Sequence, residues 1–257
     1  MSNMRLTLAI TAVAITFASA VSGCSSDSGS AIGQDSVPFP AVNAEVDSTL
    51  VRSLVFMSDD VTEEYVPPEA PSDAINAIAI PTPRDAASAC APLIDADIAD
   101  PHRSAIAAGE TYEKNAGTPF AGYITSRAEL LAAPSDVANV LGIYNNTNND
   151  LCLRRMFEPL WRAFIPVGAD TSGVGTDLNL VRIADLSSPR SVGLRLVGTA
   201  PVSRQVANLY LDVLVTANDR GLTYILLAAY GSEPSPDGEI ALVTTANEKA
   251  AAAAHPE

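Results

Sequence analysis

The stretch at residues 206–230 reads VANLYLDVLVTANDRGLTYILLAAY, and it decides the class of fold. In its first half, apolar side chains occupy every second position: Leu209, Leu211, Val213 and Val215. This alternation is typical of a β-strand with one fully apolar face. The tetrapeptide Asn218-Asp219-Arg220-Gly221 is a hairpin signal, and a second run rich in Leu, Tyr and Thr follows it. The stretch therefore predicts an antiparallel hairpin with strands at 206–216 and 222–230.

Segments on both sides of this hairpin extend the prediction. Residues 191–199 predict a third strand, and residues 177–183 are a weaker candidate for a fourth. Apolar side chains at helical spacing predict helices at 44–57, 84–97, 135–144, 151–164 and 235–254, with Pro159 as a kink or break. This order predicts an α+β fold, in which a single domain has an antiparallel sheet in its C-terminal half and helices that flank the sheet.

The composition limits the classes of function. The chain has 257 residues, of which 47% are hydrophobic, so one domain can bury a sizeable core. Its formal net charge is −15. Nucleic-acid binding and adsorption onto anionic lipid headgroups both need clustered Lys and Arg, so the charge argues against both. An acidic surface that keeps the protein in solution is the simplest interpretation.

Residues 1–23 have the three parts of a secretory signal. Arg5 supplies the charge, and the uncharged run that follows is about 15 residues long, shorter than the roughly 20 that span a bilayer. The run leads to Val21-Ser22-Gly23-Cys24, which resembles the bacterial lipobox: an aliphatic residue, two small residues and an obligatory cysteine. The resemblance implies cleavage before Cys24 and a thioether-linked diacylglycerol on its sulfur. The alternative is an ordinary cleaved signal with a chance cysteine.

Residues 24–43 predict a flexible tether because they begin with a run of Ser, Gly and Asp. Residues 44–254 form the predicted domain. We therefore expect a lipoprotein whose domain lies on the extracytoplasmic face of the cell membrane, to which lipid on Cys24 anchors it.

The cysteines support a second expectation. If Cys24 carries lipid, Cys90 and Cys152 remain, and two cysteines in an oxidising compartment are expected to form a disulfide. Two buried free thiols are the alternative. The two histidines, His102 and His255, have no metal-ligand spacing relative to these cysteines, so no metal and no cofactor are expected.

With both cysteines placed, the layout of residues 45–250 resembles the actinobacterial sensor-domain lipoproteins. That family is similar to the extracellular sensor domain of a mycobacterial membrane-bound Ser/Thr kinase. Four features match in order and spacing: the helix and turn at 50–66, the helical Cys90-Ala91-Pro92-Leu93, the pair Leu151-Cys152, and the strands at 191–230. Val61 stands where the family pattern has a Leu-Pro pair, and the Asn-rich residues 145–149 are an unusual insertion. The resemblance implies a sheet with flanking helices, a Cys90–Cys152 bridge, no kinase activity, and a role in binding or sensing.

Common catalytic motifs are absent from the sequence: there is no nucleophile elbow, Walker loop or zincin helix. Three acids beside His102 suggest cation binding, but a solvated acidic helix end is the simpler reading: Asp95, Asp97 and Asp100. Glu110 and Glu113 are a possible carboxylate pair that no pattern places in a cleft. The protein is therefore expected not to be an enzyme.

One basic cluster contains an aromatic residue: Arg154, Arg155, Trp161 and Arg162. It could bind an anionic polymer of the envelope, but arginines that pair with the many acids are the simpler reading.

The sequence favours a membrane-anchored lipoprotein that binds an unknown envelope ligand or protein partner and no nucleic acid. The alternatives are a carrier of lipid or hydrophobic molecules and, less favoured, an envelope hydrolase whose residues meet only in the fold. A packed core favours the first function, an apolar tunnel the second, and a cleft with perturbed carboxylates the third.

Overall fold

The computed structural model describes residues 43–68, 80–81, 85, 89–90, 102–115, 121–165, 178–202 and 205–254, all within one compact unit, Ser36–Glu257. The predicted signal at 1–23, the lipidation site Cys24 and the tether up to residue 42 lie outside the described residues, as does most of the helix predicted at 84–97. In the described parts of the chain, no helix is long and apolar enough to cross a membrane.

Six antiparallel strands form one sheet: β1 (Arg103–Lys114), β2 (Gly122–Leu131), β3 (Asn179–Arg182), β4 (Ser191–Val202), β5 (Gln205–Asn218) and β6 (Gly221–Tyr230). Their spatial order is β1-β2-β6-β5-β4-β3. The predicted hairpin is β5 and β6, at the centre of the sheet. Asn218 pairs with Gly221 across a two-residue turn, in which Asp219 has a φ of 44°. The antiparallel sheet is therefore confirmed.

The sheet also contains two strands that the sequence pattern did not predict, β1 and β2. Strand β2 is buried along most of its length, yet it carries Arg127 and Glu129 on the same face as apolar Leu131, which hides the alternation. Strand β1 is an edge strand rich in Ala, which has a low preference for strands. Its Gly109 leaves room for the Ser126 side chain of β2, because an added Cβ would lie 2.4 Å from the Ser126 hydroxyl oxygen.

Among the described residues, four α-helices cover the two faces of the sheet: α1 (Ala44–Leu54), α2 (Pro134–Asn145), α3 (Asp150–Ala163) and α4 (Pro236–Ala254). Alternate residues of β5 face opposite sides. Leu211 packs in the cluster that contains the buried residues of α2 and α3, and Leu214 packs with those of α4. Helix α1 contacts β1, β2 and α4. The sheet is thus the middle layer of three, and the predicted α+β fold with helices flanking an antiparallel sheet is confirmed.

A disulfide joins Cys90 to Cys152 on α3, with a Cα–Cα distance of 5.3 Å, so the predicted bridge is confirmed. On the same face, Trp161 of α3 is fully buried, and its indole Nε1 donates to the Leu209 carbonyl oxygen at 3.0 Å. Gly198 lets this ring approach β4, since an added Cβ would lie 2.9 Å from the indole.

Two helices differ in detail from the predictions. Helix α1 ends at Leu54 rather than at residue 57, because the Phe56 N–H donates to the Ser126 hydroxyl oxygen at 2.8 Å instead of continuing the helix. Helix α3 continues through Pro159. At the end of α4, Ala250 is buried and packs in the cluster formed by the apolar face of α1.

Candidate ligand-binding groove

A groove with a volume of about 770 Å³ lies at the end of the sheet where β1 and β6 finish and β2 begins. Its floor is apolar and consists of Ile124, Leu227 and Leu242. One wall is the segment 60–65, which follows α1. The opposite wall is the segment 231–235 together with the first turns of α4. Four separate parts of the chain therefore build the groove.

The first wall is fixed at three points. Phe56 is bound to β2 through Ser126. The Asp60 carboxylate accepts from the Met57 N–H and from Lys249 Nζ of α4, each at 2.7 Å. Val66 and Glu113 exchange two backbone hydrogen bonds of 2.9 and 2.8 Å, which attach the end of the wall to the edge strand β1. These bonds order the wall without a ligand.

Tyr65 lies at the base of this wall, over the start of β2. An added Cβ at Gly122 would lie 3.4 Å from the Tyr65 hydroxyl oxygen. Lys114 Nζ lies 6.0 Å from the centroid of the Tyr65 ring and forms an ion pair with Glu64. Burial, and to a smaller extent the negative charge of Glu64, raises the pKa of Tyr65 to about 12, so its phenol stays neutral at physiological pH.

The second wall depends on a tight turn and a helix cap. Gly231 adopts a φ of 78°, which glycine tolerates, and its N–H donates to the Asn208 carbonyl oxygen at 2.9 Å. Helix α4 then starts with Pro236 in its first turn, and the Ser235 hydroxyl oxygen accepts from the Gly238 N–H at 3.1 Å. The predicted start of this helix is confirmed.

A buried charge network lies behind the second wall. The Arg195 guanidinium donates to both carboxylate oxygens of Asp212, from Nε at 2.7 Å and from Nη2 at 2.9 Å. It also donates to Glu239 of α4 and to Glu233, which lines the groove. Arg195, Asp212 and Glu239 are all buried, so two enclosed carboxylates face one enclosed cation.

This network raises the affinity of Glu239 for a proton. Burial, then the hydrogen bond and charge of Asp212, raise the pKa of Glu239 to about 8. Among the described N–H and O–H groups, none donates to Glu239 Oε2, so a proton on this oxygen would let it donate to Asp212. The sequence analysis missed this network. Arg195 and Asp212 do carry a signal for it, because both are charged residues in the middle of predicted strands, and they pair directly across β4 and β5.

The acidic candidates from the sequence do not come together. Asp95, Asp97 and Asp100 lie outside the described residues, and His102 is exposed. Glu110 accepts from the Tyr112 hydroxyl group at 3.3 Å, whereas Glu113 pairs through its backbone with Val66. Neither glutamate lines the groove. Within the described ranges, no group of three His, Cys, Asp or Glu side chains is placed to hold a metal ion.

The basic and aromatic cluster is likewise divided. Trp161 belongs to the core, Arg162 pairs with Glu158 at 2.8 Å, and Arg154 donates to the Leu178 carbonyl oxygen at 3.1 Å. The pairing of Arg162 with an acid follows the simpler of the two readings of this cluster.

No family model matches the chain, and no curated protein matches it. Among solved structures, the chain has a weak similarity to LpqN, which is described as involved in cell envelope biogenesis of Mycobacterium tuberculosis. The sequences are 13% identical, the aligned part covers 57% of this chain and 76% of LpqN, and the TM-score is 0.24.

Proposed function

We propose that this protein is an extracytoplasmic lipoprotein, anchored to the cell membrane through lipid on Cys24, and that its groove binds a ligand or a partner of the cell envelope. The signal and lipobox pattern at 1–24 supports the location. The domain would then act at the membrane surface without crossing the membrane.

One observation carries the binding role: the groove has an apolar floor and two walls that are ordered by contacts with the rest of the fold. Its volume of about 770 Å³ is in the range of small-molecule sites. Ser126, Lys249 and β1 fix the first wall, and Arg195 and the cap of α4 fix the second. A site ordered before binding loses less conformational entropy when it is filled.

A carrier of hydrophobic molecules is the second candidate, and the apolar floor formed by Ile124, Leu227 and Leu242 favours it. The groove would hold such a cargo at the surface. We propose no catalytic step, because the described residues that line the groove include neither His nor Cys, and the hydroxyl group of one of them, Ser235, caps α4.

Native mass spectrometry of the full lipid-anchored protein, released gently from its own membrane, tests the binding role. Ala241 is exposed on α4 and lines the groove, so Ala241→Trp would fill it. Ala251 is exposed on the same helix outside the groove lining, so Ala251→Trp is the matched control. We expect an additional bound mass on the wild type and on the control, and its loss from Ala241→Trp. The same spectrum for all three proteins would contradict the proposal.

A further inference from the structure

We propose that the groove selects an amphiphilic organic cation, whose apolar part lies on the floor and whose ammonium group lies against Tyr65 and the carboxylates of the rim. This inference rests on the proposed binding role of the groove and adds the chemical class of the ligand. The rim consists of Asp60, Glu64, Lys114 and Glu233.

The first argument is the exposure of charge around the groove. In two of the ion pairs at the rim, the carboxylate is the exposed partner and the cation lies behind it. The Glu64 side chain is 64% exposed against 37% for Lys114, and Glu233 is 62% exposed against 9% for Arg195. A ligand that enters from solvent therefore meets carboxylates first. With a net charge of −15 on the whole chain, the long-range field also favours a cation over an anion.

The second argument is that the rim already binds an ammonium group. Lys114 Nζ lies 6.0 Å from the Tyr65 ring centroid and forms an ion pair with Glu64. An aromatic face with a carboxylate beside it is a known arrangement for recognising organic ammonium groups. Because Lys114 reaches this position on a flexible side chain, a ligand ammonium can replace it.

The third argument is the size and chemistry of the floor. Ile124, Leu227 and Leu242 present apolar surface, and Ala229 and Ala241 next to them are small. An alkyl chain on this floor would leave its charged head at the rim. The groove, at about 770 Å³, has room for both parts.

The test uses three soluble probes that share one six-carbon tail: hexyltrimethylammonium, hexyl sulfate and hexyl glucoside. The full lipid-anchored chain is reconstituted in phosphatidylcholine nanodiscs, and binding is measured by isothermal titration calorimetry with empty nanodiscs as the blank. We expect the cationic probe to bind about tenfold more tightly than the other two, the difference typical of one desolvated cation–π contact with an adjacent charge.

Variants assign the effect to the rim. Glu64→Gln should weaken binding of the cationic probe by about fivefold, because it removes one exposed carboxylate. Lys114→Met should strengthen binding by about threefold or more, because it removes the competing ammonium and leaves the ring and the carboxylate in place. Ala241→Trp should abolish binding, and Ala251→Trp should leave it unchanged.

The outcomes separate the two levels of the proposal. If hexyl sulfate or hexyl glucoside binds as tightly as the cationic probe or more tightly, and Ala241→Trp abolishes that binding, the preference for a cation is wrong. The groove would still be the binding site. Binding that Ala241→Trp does not reduce would overturn the groove itself. No heat above the blank for the cationic probe, or weaker binding by Lys114→Met, would also overturn the proposed ligand class.

Discussion

The two faces of the sheet are attached to their helices by different chemistry. On one face, α2 and α3 pack through apolar side chains and a disulfide, and their acids remain at least partly exposed: Asp136, Asp150 and Glu158. On the other face, α1 and α4 each bring one fully buried acid, Asp47 and Glu239, to an arginine at the sheet. Because fully buried carboxylates take part in the second attachment, its strength should depend on pH, and the groove lies on this second face.

The pair of Asp47 and Arg220 gives the largest expected effect. Arg220 Nη2 lies 2.8 Å from an Asp47 carboxylate oxygen, and both residues are buried. Arg220→Met leaves the Asp47 carboxylate without its guanidinium, so we expect a loss of about 3–5 kcal/mol in the free energy of unfolding. Urea denaturation measures this loss.

The double variant Arg220→Met with Asp47→Leu is the control, because it removes both charges. It should recover most of the stability. A double variant as unstable as the single one would show that packing, and not the unpaired charge, explains the loss.

The same pair predicts acid sensitivity of this face. Burial acts to raise the pKa of Asp47, but the hydrogen bond and charge of Arg220 outweigh it, and the pKa lies below its ordinary value of 3.8. The resulting stabilisation is present above pH 3.8 and is lost as the pH falls through the lowered pKa. Asp47→Leu with Arg220→Met should therefore flatten the acid limb of a stability–pH curve. An unchanged acid limb would assign the sensitivity to other carboxylates.

Loss of the disulfide, on the opposite face of the sheet, should have the second largest effect on stability. Cys90→Ser or Cys152→Ser should each cost about 2–5 kcal/mol, because the unfolded chain gains the freedom of a loop of 62 residues. The double variant should be no less stable than either single one, since the same bond is lost in all three. Thermal unfolding with and without reductant measures this. If reductant leaves the wild-type transition unchanged, the bridge does not contribute to stability.

The proton on Glu239 should have a smaller effect on stability, and its dependence on pH is opposite in direction to that of Asp47. Its pKa is raised from 4.5 to about 8, so the folded state binds one more proton than the unfolded state between these values. Stability should therefore fall as the pH rises from about 4.5 to about 8. Glu239→Gln replaces the protonated acid by an amide that can also donate to Asp212, and it should stabilise the protein by about 1–3 kcal/mol at pH 8.

Glu248→Gln is the control for this prediction, because Glu248 is exposed on the same helix. Chemical denaturation at pH 5 and pH 8 compares the two variants. A stabilisation of Glu239→Gln that is equal at both pH values would argue against a proton shared with Asp212.

Removal of the proposed lipid anchor should have the smallest effect on stability and the largest effect on where the protein is found in the cell. Cys24 precedes the predicted domain in the sequence, so Cys24→Ala should leave the unfolding temperature of the domain at the wild-type value. Membrane fractionation should show release of the protein or stalled processing, because the predicted acceptor for the lipid is gone. Normal processing and full retention in the membrane fraction would contradict lipidation at Cys24.

The sequence predicted elements whose signal is local. The hairpin turn at 218–221 and the start of the helix predicted at 235–254 each depend on a few neighbouring residues, and both are confirmed. The groove has no local signal, because its floor and walls come from four separate parts of the chain. The buried charges were missed for a related reason. Glu239 looks like an ordinary surface acid, and the pairing of Arg195 with Asp212 follows only once the register of β4 and β5 is known.

The separation of Asp47 and Arg220 by 173 residues has a consequence for the order of folding. Helix α1 emerges first during synthesis, but its buried acid has no guanidinium partner until the turn between β5 and β6 has been made. Strand β2 likewise waits for β6, its neighbour in the sheet. Such long-range pairing slows folding, because loops must close before the contacts form. The chain should therefore complete its core only near the end of translation, which would suit the passage across a membrane that we propose for it.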